Sequence, residues 1–355
     1  GIEYDDFASQ IARLSLWLAE HQMNVLFEQE LGASTPMLPL KDSGHIIHGN
    51  SLRIDWNEVC LNNGTDEIYI IGNPPFKGNV KRPESMNQDM AIVFKGFKKY
   101  KTLDYVTSWF WRGADYIKNS SAKLAFVATN SVVQGEQVAM LFPYIFDLGI
   151  TIKFAYQTFI WKNNAKDNAN VHVVIIGLST NNNESKDIYI NIKGNTSKKT
   201  VKNITPYLFE GGNIAISRRS KPLCSVPPIS KGNMPYDDGN LLLNSEEKNE
   251  LILKNPEASQ WLRKVVGSDE YLNGKDRWCL WLKDIEQNEI NSIPLIKERV
   301  EKVREYRLDC DDESANKLAE RPHLFRETKN PNQAILIPSV SSERRRYVPI
   351  GFIDE

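Results

Sequence analysis

The segment EIYIIGNPPFKGN (67–79) decides how the first half of the chain is expected to fold. EIYIIG is a compact apolar run typical of a buried strand, and Asn73, Pro74 and Pro75 follow it directly. Two consecutive prolines remove two backbone donors and fix two φ angles, so the strand ends there. In open α/β sheets, ligands bind beyond the carboxyl ends of the strands. The segment therefore predicts either a stiff turn or a ligand-binding corner at a sheet edge.

Strand and helix patterns alternate from residue 1 to about 155, as in a parallel sheet covered by helices. An amphipathic helix is predicted from Asp6, and a helix at 136–149 is expected to break near Pro143. The strands at 151–160 and 171–179 lie close in sequence, as an antiparallel pair at the sheet edge would. This part is predicted to be α/β and to extend to about residue 195.

Beyond residue 195, Pro and Gly become frequent and the periodicity weakens. Helices are predicted at 245–264 and 294–308 within otherwise irregular sequence. We place a domain boundary within 195–220 and predict a second domain at 200–355.

The bulk composition excludes several classes of protein. No apolar run approaches the ~20 residues needed to span a bilayer. Four scattered cysteines without a CxxC pair argue against a disulfide framework or a zinc site and fit a reducing cytoplasm. We predict no metal site.

Charge does not by itself point to nucleic acid, because 44 Lys and Arg balance 45 Asp and Glu. If DNA is the partner, basic residues must gather on one face. The candidates are three basic runs at 98–101, 218–221 and 344–346, and each is also typical of a solvated surface.

The corner after residue 72 carries an amide and an aromatic ring at fixed positions. The Asn73 side-chain carbonyl and the Pro74 backbone carbonyl can together accept both hydrogens of one exocyclic amine, which makes its nitrogen a better nucleophile without a strong base. Phe76 offers a flat face for stacking a base, worth ~1–3 kcal/mol. Glu3 and Asn50 each follow a short predicted strand, so an acid, an amide and the corner are expected to share one cleft.

Asn-Pro-Pro-Phe in this setting resembles motif IV of amino-methyltransferases that use S-adenosylmethionine, above all the DNA adenine-N6 group. The resemblance implies that Asn73, Pro74, Pro75 and Phe76 hold the target adenine. Residues 1–18 are similar to the family segment whose acidic residue binds the cofactor ribose, the place of Glu3. Residues 49–56 resemble the next motif, where Asn50 replaces the usual Asp that touches the cofactor's adenine edge.

Longer stretches resemble the MmeI-like group, in which nuclease, methyltransferase and target-recognition regions share one polypeptide. These stretches are NPPFKGN (73–79), LAFVATNSVVQGEQV (124–138), FAYQTFIWKNNAKDNANVHVVIIG (154–177), SDEYLNGKDRWCLWL (268–282) and SSERRRYVPIGFI (341–353). The resemblance implies a Rossmann-like class I methyltransferase sheet in 1–195, followed by an α+β target-recognition domain at 200–355.

The same resemblance implies methyl transfer to an adenine flipped out of duplex DNA. A second aromatic ring, Phe159 or Trp161, would close the other face of that base. Arg344, Arg345 and Arg346 are candidates for contacts with DNA.

The family's Gly-rich cofactor loop, the first strand that carries it and the nuclease are not found in this sequence. We therefore expect an incomplete sheet, a chain that is part of a longer protein, and weak or no binding of S-adenosylmethionine to it.

Two other interpretations stay open. Protein glutamine-N5 methyltransferases also use Asn-Pro-Pro-aromatic to hold an amide nitrogen, although they lack a domain such as 200–355. In the third interpretation, the chain only binds DNA because its cofactor site is incomplete.

Overall fold

A computed structural model describes residues 1–32, 45–161, 171–180, 184–192, 195–227, 229–329, 331–339, 341–342 and 345–354. The chain divides into two compact units, Gly1–Ser220 and Lys221–Glu355. Within the described ranges, no helix is long and apolar enough to cross a membrane.

The first unit alternates short strands with helices. Its strands are β1 (Ile2–Glu3), β2 (Ile47–His48), β3 (Tyr69–Gly72), β4 (Lys123–Thr129), β5 (Thr151–Trp161), β6 (Val171–Ser179), β7 (Lys186–Ile192) and β8 (Asn195–Val201). Its helices are α1 (Asp6–Leu31), α2 (Trp56–Val59), α3 (Glu84–Val93), α4 (Thr107–Ile117) and α5 (Gly135–Asp147), with 3-10 turns at Tyr100–Thr102 and Asn130–Val133.

Six of these strands form one mixed sheet in the order β3-β4-β6-β5-β7-β8. β3 runs parallel to β4, whereas β6 runs antiparallel to both β4 and β5. β7 is parallel to β5. The carboxyl ends of β3, β4, β5 and β7 therefore meet at the same edge. The α/β class expected from the alternating pattern is confirmed.

The antiparallel pairing of β5 with β6 is confirmed, but its predicted place at the sheet edge is wrong. β7 adds beyond β5, with Ala155 opposite Ile188, and β8 follows it. Both of these side chains are buried, so β7 joins because it covers apolar surface of β5.

The first two strands stand apart from this sheet. β1 and β2 pair in parallel, with Glu3 opposite His48, and Ile2 packs against the main core of the unit. In the described structure β3 lies at the edge of the six-stranded sheet, and the Ile71 side chain is 83% exposed.

Helix α1 begins and ends with regular caps. The Asp5 carboxylate accepts from the Ala8 amide at 2.8 Å, and Gly32 closes the helix in the left-handed conformation with φ 65°. The predicted helix is therefore confirmed. Its apolar stripe is nevertheless exposed by 45–75% at the positions that suggested it, which are Phe7, Ile11, Leu14 and Leu18.

Helix α5 continues through Pro143, so the predicted break is wrong. A proline inside a helix costs ~3 kcal/mol. Here Pro143 faces solvent, while Phe142 and Ile145 are wholly buried. Burying two large side chains offsets that cost at ~1.5–3 kcal/mol each.

Two cores stabilise this unit. The larger one packs α4 and α5 against the sheet, with Phe110 of α4 meeting Phe126 of β4 edge-to-face at 5.4 Å between ring centroids. A smaller one, of Leu52, Met90, Phe94, Leu103 and Tyr105, lies between α3 and its neighbours.

The second unit mixes short strands with helices. Its strands are β9 (Leu242–Leu243), β10 (Leu262–Lys264), β11 (Trp278–Leu280), β12 (Gln333–Leu336) and β13 (Gly351–Asp354). Its helices are α6 (Ser245–Lys254), α7 (Ser268–Asn273), α8 (Gln287–Ser292), α9 (Pro294–Leu308) and α10 (Glu313–Leu318), with a 3-10 turn at Pro256–Trp261. The strands form antiparallel sheets in the order β10-β11-β9 and β12-β13.

The helix predicted at 294–308 matches α9. The one predicted at 245–264 ends at Lys254, because Pro256 disfavours helical backbone at Asn255. Residues up to 264 form the 3-10 turn and β10 instead.

A wholly buried arginine holds the second unit together. The Arg307 guanidinium donates to five backbone carbonyls at 2.8–3.1 Å. The acceptors are the carbonyls of Pro235, Tyr236, Leu318, Arg321 and Leu324. Burial lowers the pKa of Arg307, and these oxygens replace the water that the charge has lost.

Candidate functional site

The Asn73–Phe76 corner leaves the sheet at the carboxyl end of β3. Pro74 is buried, and Phe76 is half-buried against the main core, so the corner is anchored at these two positions. Asn73 is exposed, and no described residue hydrogen-bonds its side chain. Its amide oxygen is therefore available to accept hydrogens from a ligand, on backbone that two prolines hold rigid.

The chain that follows the corner is held in place by the residues that precede α4. The Tyr105 amide donates to the Lys77 carbonyl at 2.8 Å. A Cβ added at Gly78 would lie 3.6 Å from an Asp104 carboxylate oxygen, so the loop rests against that side chain. Asp104 and Tyr105 precede α4, and this helix start therefore supports the loop.

Asp104 is itself the centre of a buried polar cluster. Its carboxylate accepts from the Thr129 hydroxyl at 3.3 Å, from the Ser131 hydroxyl, and from the Gln137 amide at 3.0 Å. The Gln137 oxygen in turn accepts from the Asp104 backbone amide at 3.0 Å. The cluster joins the carboxyl end of β4 and the first turn of α5 to the start of α4.

Asn50 follows β2 and has both ends of its amide engaged. Its oxygen accepts from the Leu52 amide at 2.9 Å, and its nitrogen donates to Asp89 at 2.9 Å. The Asp89 carboxylate, only 4% exposed, also accepts from Arg53 Nε at 2.7 Å and from the Tyr105 hydroxyl at 2.7 Å. A buried carboxylate with three donors fixes all of them in place.

The titration of this cluster follows from its hydrogen bonds. Burial alone would raise the pKa of Asp89, but the hydrogen bonds from Tyr105, Asn50 and Arg53 outweigh it and hold the pKa below its ordinary value. Burial and the hydrogen bond to Asp89 raise the pKa of the Tyr105 phenol. At neutral pH the cluster therefore contains a carboxylate and a neutral phenol.

Glu3 ends β1 with half of its carboxylate engaged. Its Oε1 accepts from the amides of Tyr4 and Asp5 at 2.9 and 3.1 Å, and none of the described residues donates to Oε2. The Gly49 amide donates to the Glu3 carbonyl at 2.8 Å, so Glu3 lies beside the chain that leads to Asn50.

A series of three hydrogen bonds connects Asn50 to Lys77, the residue that follows the corner. Asn50 donates to Asp89 at 2.9 Å, the Tyr105 hydroxyl donates to the same Asp89 oxygen at 2.7 Å, and the Tyr105 amide donates to Lys77 at 2.8 Å. Glu3, Asn50 and the corner thus belong to one connected region, as a cleft at the strand ends requires.

Phe159 and Trp161 lie at the carboxyl end of β5, the same edge as Asn73. β5 is the third strand from β3, about 14 Å away at the ordinary strand spacing of about 4.8 Å. Both side chains are partly exposed on one face, with ring centroids 6.4 Å apart. None of the described ring contacts joins either of them to Phe76, so the choice between them as a stacking partner stays a prediction.

The basic run at 344–346 belongs to the second unit. Arg344 lies outside the described residues. Arg345 and Arg346 are exposed, and the Arg346 guanidinium lies 5.3 Å from the Tyr347 ring centroid. Exposure leaves both side chains accessible to a partner, and their role in DNA binding stays a prediction.

Sequence reasoning missed Asp89, Tyr105 and Asp104. An Asp within a helix ordinarily faces solvent, and the partners of Asp89 lie 16, 36 and 39 residues away in the chain. No local spacing marks such a cluster. Asp104 carries a weak signal, since Asp commonly precedes a helix.

Metal chemistry has no visible centre in the described part of the chain, where no group of three or more His, Cys, Asp or Glu side chains could hold an ion.

Comparison with known proteins gives two matches that together span most of the chain. Residues 1–190 match the family described as MmeI, DNA-methyltransferase domain. Residues 210–355 match the family described as MmeI, target recognition domain.

Two relatives extend these matches. DNA methyltransferase A of Bacillus subtilis (strain 168) is 45% identical over 354 residues, which are 99% of this chain and 40% of that protein. The solved structure of the Type IIL restriction-modification enzyme MmeI in complex with DNA is 40% identical, with a TM-score of 0.81 over 100% of this chain and 48% of that one. The chain therefore spans less than half the length of these relatives.

Proposed function

Because this chain belongs to the MmeI family of DNA methyltransferases, we propose that it forms the catalytic-motif and target-recognition parts of an adenine-N6 methyltransferase of a restriction–modification system. Its substrate would be an adenine in a specific duplex sequence, and its methyl donor S-adenosylmethionine. The observation that carries the proposal is the hydrogen-bonded series from Asn50 to Lys77, the residue that follows the Asn73–Phe76 corner. This series links Asn50, which is expected to contact the cofactor, to the chain beside the corner, which is expected to hold the target base.

The residues expected to hold the cofactor fit it by their free hydrogen-bonding capacity. Glu3 Oε2 has no donor among the described residues and can accept from the ribose hydroxyls. Asn50 keeps one amide hydrogen after its bond to Asp89, which can meet an adenine ring nitrogen. S-adenosylmethionine, when bound, supplies the methyl group.

At the corner, the Asn73 side-chain oxygen and the Pro74 carbonyl accept the two N6 hydrogens of the flipped adenine. Held in this way, the N6 lone pair is withdrawn from conjugation with the ring and is directed at the methyl group. Phe76 stacks on one face of the base, and Phe159 or Trp161 on the other. Asn73 is no base and takes up no proton, so we expect orientation to supply most of the acceleration. As the bond from N6 to the methyl carbon forms, the sulfur–carbon bond would break, S-adenosylhomocysteine would leave, and the surplus N6 proton would pass to solvent.

The recognition region favours DNA over a protein glutamine side chain. Residues 210–355 match a target recognition domain, and the DNA complex of MmeI aligns over the whole chain. Arg345 and Arg346, both exposed, are our candidates for contacts with that DNA.

The test is methyl transfer by the full-length gene product to genomic DNA free of adenine methylation, with N6-methyladenine quantified by mass spectrometry. Asn73→Ala should lower the rate at least ~100-fold, as when one directed hydrogen bond to a reacting group is removed. Asn73→Asp, which keeps an acceptor oxygen, should retain more activity than Asn73→Ala.

Asn195→Ala is the matched control, since Asn195 is exposed in β8, at the opposite edge of the sheet from β3. It should leave both the rate and DNA binding unchanged. An Asn73→Ala enzyme within tenfold of the wild-type rate would show that Asn73 does not hold the reacting amine.

A further inference from the structure

The chain that follows the corner carries a concentration of positive charge. Residues 77–101 contain seven basic side chains and two acidic ones, Glu84 and Asp89, whereas the whole protein has a net charge of −1. Asp89 is buried and already paired with Arg53. Glu84 is therefore the only acidic side chain of this segment that faces solvent.

The lysines of this segment are not neutralised. Of the lysines at 77, 81, 95, 98, 99 and 101, all but the half-buried Lys77 are exposed, and none forms an ion pair within the described structure. Lysines of β8 in the same unit behave differently. Lys198 pairs with Asp187 at 3.0 Å, and Lys199 pairs with Glu210 at 2.9 Å.

Hydrogen bonds bring the two halves of this segment together. The half-buried Arg82 guanidinium donates to the carbonyls of Leu103 at 2.6 Å and Lys101 at 2.8 Å. Lys77 accepts from the Tyr105 amide at 2.8 Å. Residues 77–82 and 95–101 therefore form a single surface, which we call the basic shelf.

Aromatic packing fixes the second half of the shelf to the protein. The ring of Tyr100 stacks on buried Phe94 with centroids 5.7 Å apart, and Phe97 packs on Trp111 at 5.4 Å. Lys98, Lys99 and Lys101 are thus presented from an ordered turn. Holding like charges together in this way is unfavourable unless a polyanion binds them.

We propose that the basic shelf binds the phosphate backbone of duplex DNA next to the target base; this rests on the proposed function. The shelf begins at Lys77, the residue after Phe76, so a base stacked on Phe76 places its neighbouring phosphates beside these lysines. Such contacts carry no sequence information but position the duplex on the catalytic unit. The other basic run of this unit is less suited, because Arg218 pairs with Glu136 at 3.2 Å.

The experiment measures the affinity of the 355-residue chain for a fluorescently labelled duplex of random sequence over a range of salt concentrations. One variant combines Lys98→Gln, Lys99→Gln and Lys101→Gln. The control combines Lys198→Gln, Lys199→Gln and Lys202→Gln, which removes the same charge from the β8 region of the same unit. All six side chains are exposed, so both proteins should fold, which circular dichroism verifies.

The shelf variant should bind at least ~10-fold more weakly at low salt, with a slope of log affinity against log salt that is shallower by about 2–3. The control should keep the wild-type slope. Equal losses in the two variants would assign the effect to net charge and overturn the proposal. An unchanged slope in the shelf variant, or a wild-type chain that does not bind the duplex at all, would overturn it as well.

The outcome is separable from the proposed function. Loss of methyl transfer in Asn73→Ala together with an unchanged slope in the shelf variant would refute only the shelf. A shallower slope together with full activity of Asn73→Ala would refute only the role of the corner.

Discussion

Asp89 in the first unit and Arg307 in the second are both buried charges, but they have different partners. Asp89 accepts from the side chains of Asn50, Arg53 and Tyr105. Arg307 donates only to backbone carbonyls, five of them. The carboxylate therefore fixes the relative positions of side chains beside the candidate site, whereas the guanidinium fixes the path of the chain.

The largest effect is expected for Arg307. Arg307→Met leaves five carbonyls without their donor, and we expect the free energy of unfolding of the second unit to fall by about 3–5 kcal/mol. Urea unfolding, monitored by hydrogen exchange of the α9 amides, measures this loss.

Arg304→Met, at an exposed position of the same helix, should change that free energy little. In Arg307→Met the Leu52 and Tyr105 amides of the first unit should exchange as in the wild type. If the two α9 variants were equally stable, the carbonyl contacts would not be what holds the unit together.

A smaller effect is expected for Asp89. Asp89→Asn turns an amide group toward donors and removes the charge that faces Arg53, so the first unit should lose about 2 kcal/mol at neutral pH. The local signature should be faster hydrogen exchange of the Leu52 amide, held by Asn50, and of the Tyr105 amide, held by Lys77.

Asp115→Asn in α4 removes a surface ion pair with Lys118 and serves as the control. It should leave both amides at their wild-type exchange rates. Unchanged exchange in Asp89→Asn would mean that the three hydrogen bonds do not act together.

The smallest effect is expected for the pH dependence of the stability of the first unit. The folded-state pKa of Asp89 is lowered, so its stabilisation is present above the unfolded-state value of about 3.9 and is lost as the pH falls through the folded value. The stability gap between wild type and Asp89→Asn should be constant above about pH 5 and narrow below about pH 4. Urea titrations between these conditions measure the gap, and a change centred near neutral pH would point to a different titrating group.

Local sequence predicts those features that local physics determines. The end of β3 follows from Pro74 and Pro75, and α1 follows from the spacing of its apolar residues. Pro143 misled the prediction because buried neighbours offset its cost. β7 could not be placed from pattern alone, since it pairs with a strand that β6 and its flanking loops separate from it in the chain.

The residues of the candidate site also differ in whether local sequence predicts them. Asn73 and Phe76 are marked by a motif, and their roles stay predictions until tested. The supports behind them have no such mark, because Asp89 draws its donors from distant segments. Arg307 is harder still, since its acceptors are backbone carbonyls, which every residue has.

The series from Asn50 through Asp89 and Tyr105 to Lys77 fixes the distance between Asn50 and the chain that follows the corner. The three hydrogen bonds are 2.7–2.9 Å long. The spacing between the expected sites for the methyl donor and for the target base is therefore set before either ligand binds. A misplacement of about 1 Å can cost a reaction about 100-fold in rate. Because all three hydrogen bonds lie in the first unit, we expect this spacing to stay unchanged in variants of the second unit, whichever DNA sequence that unit is proposed to recognise.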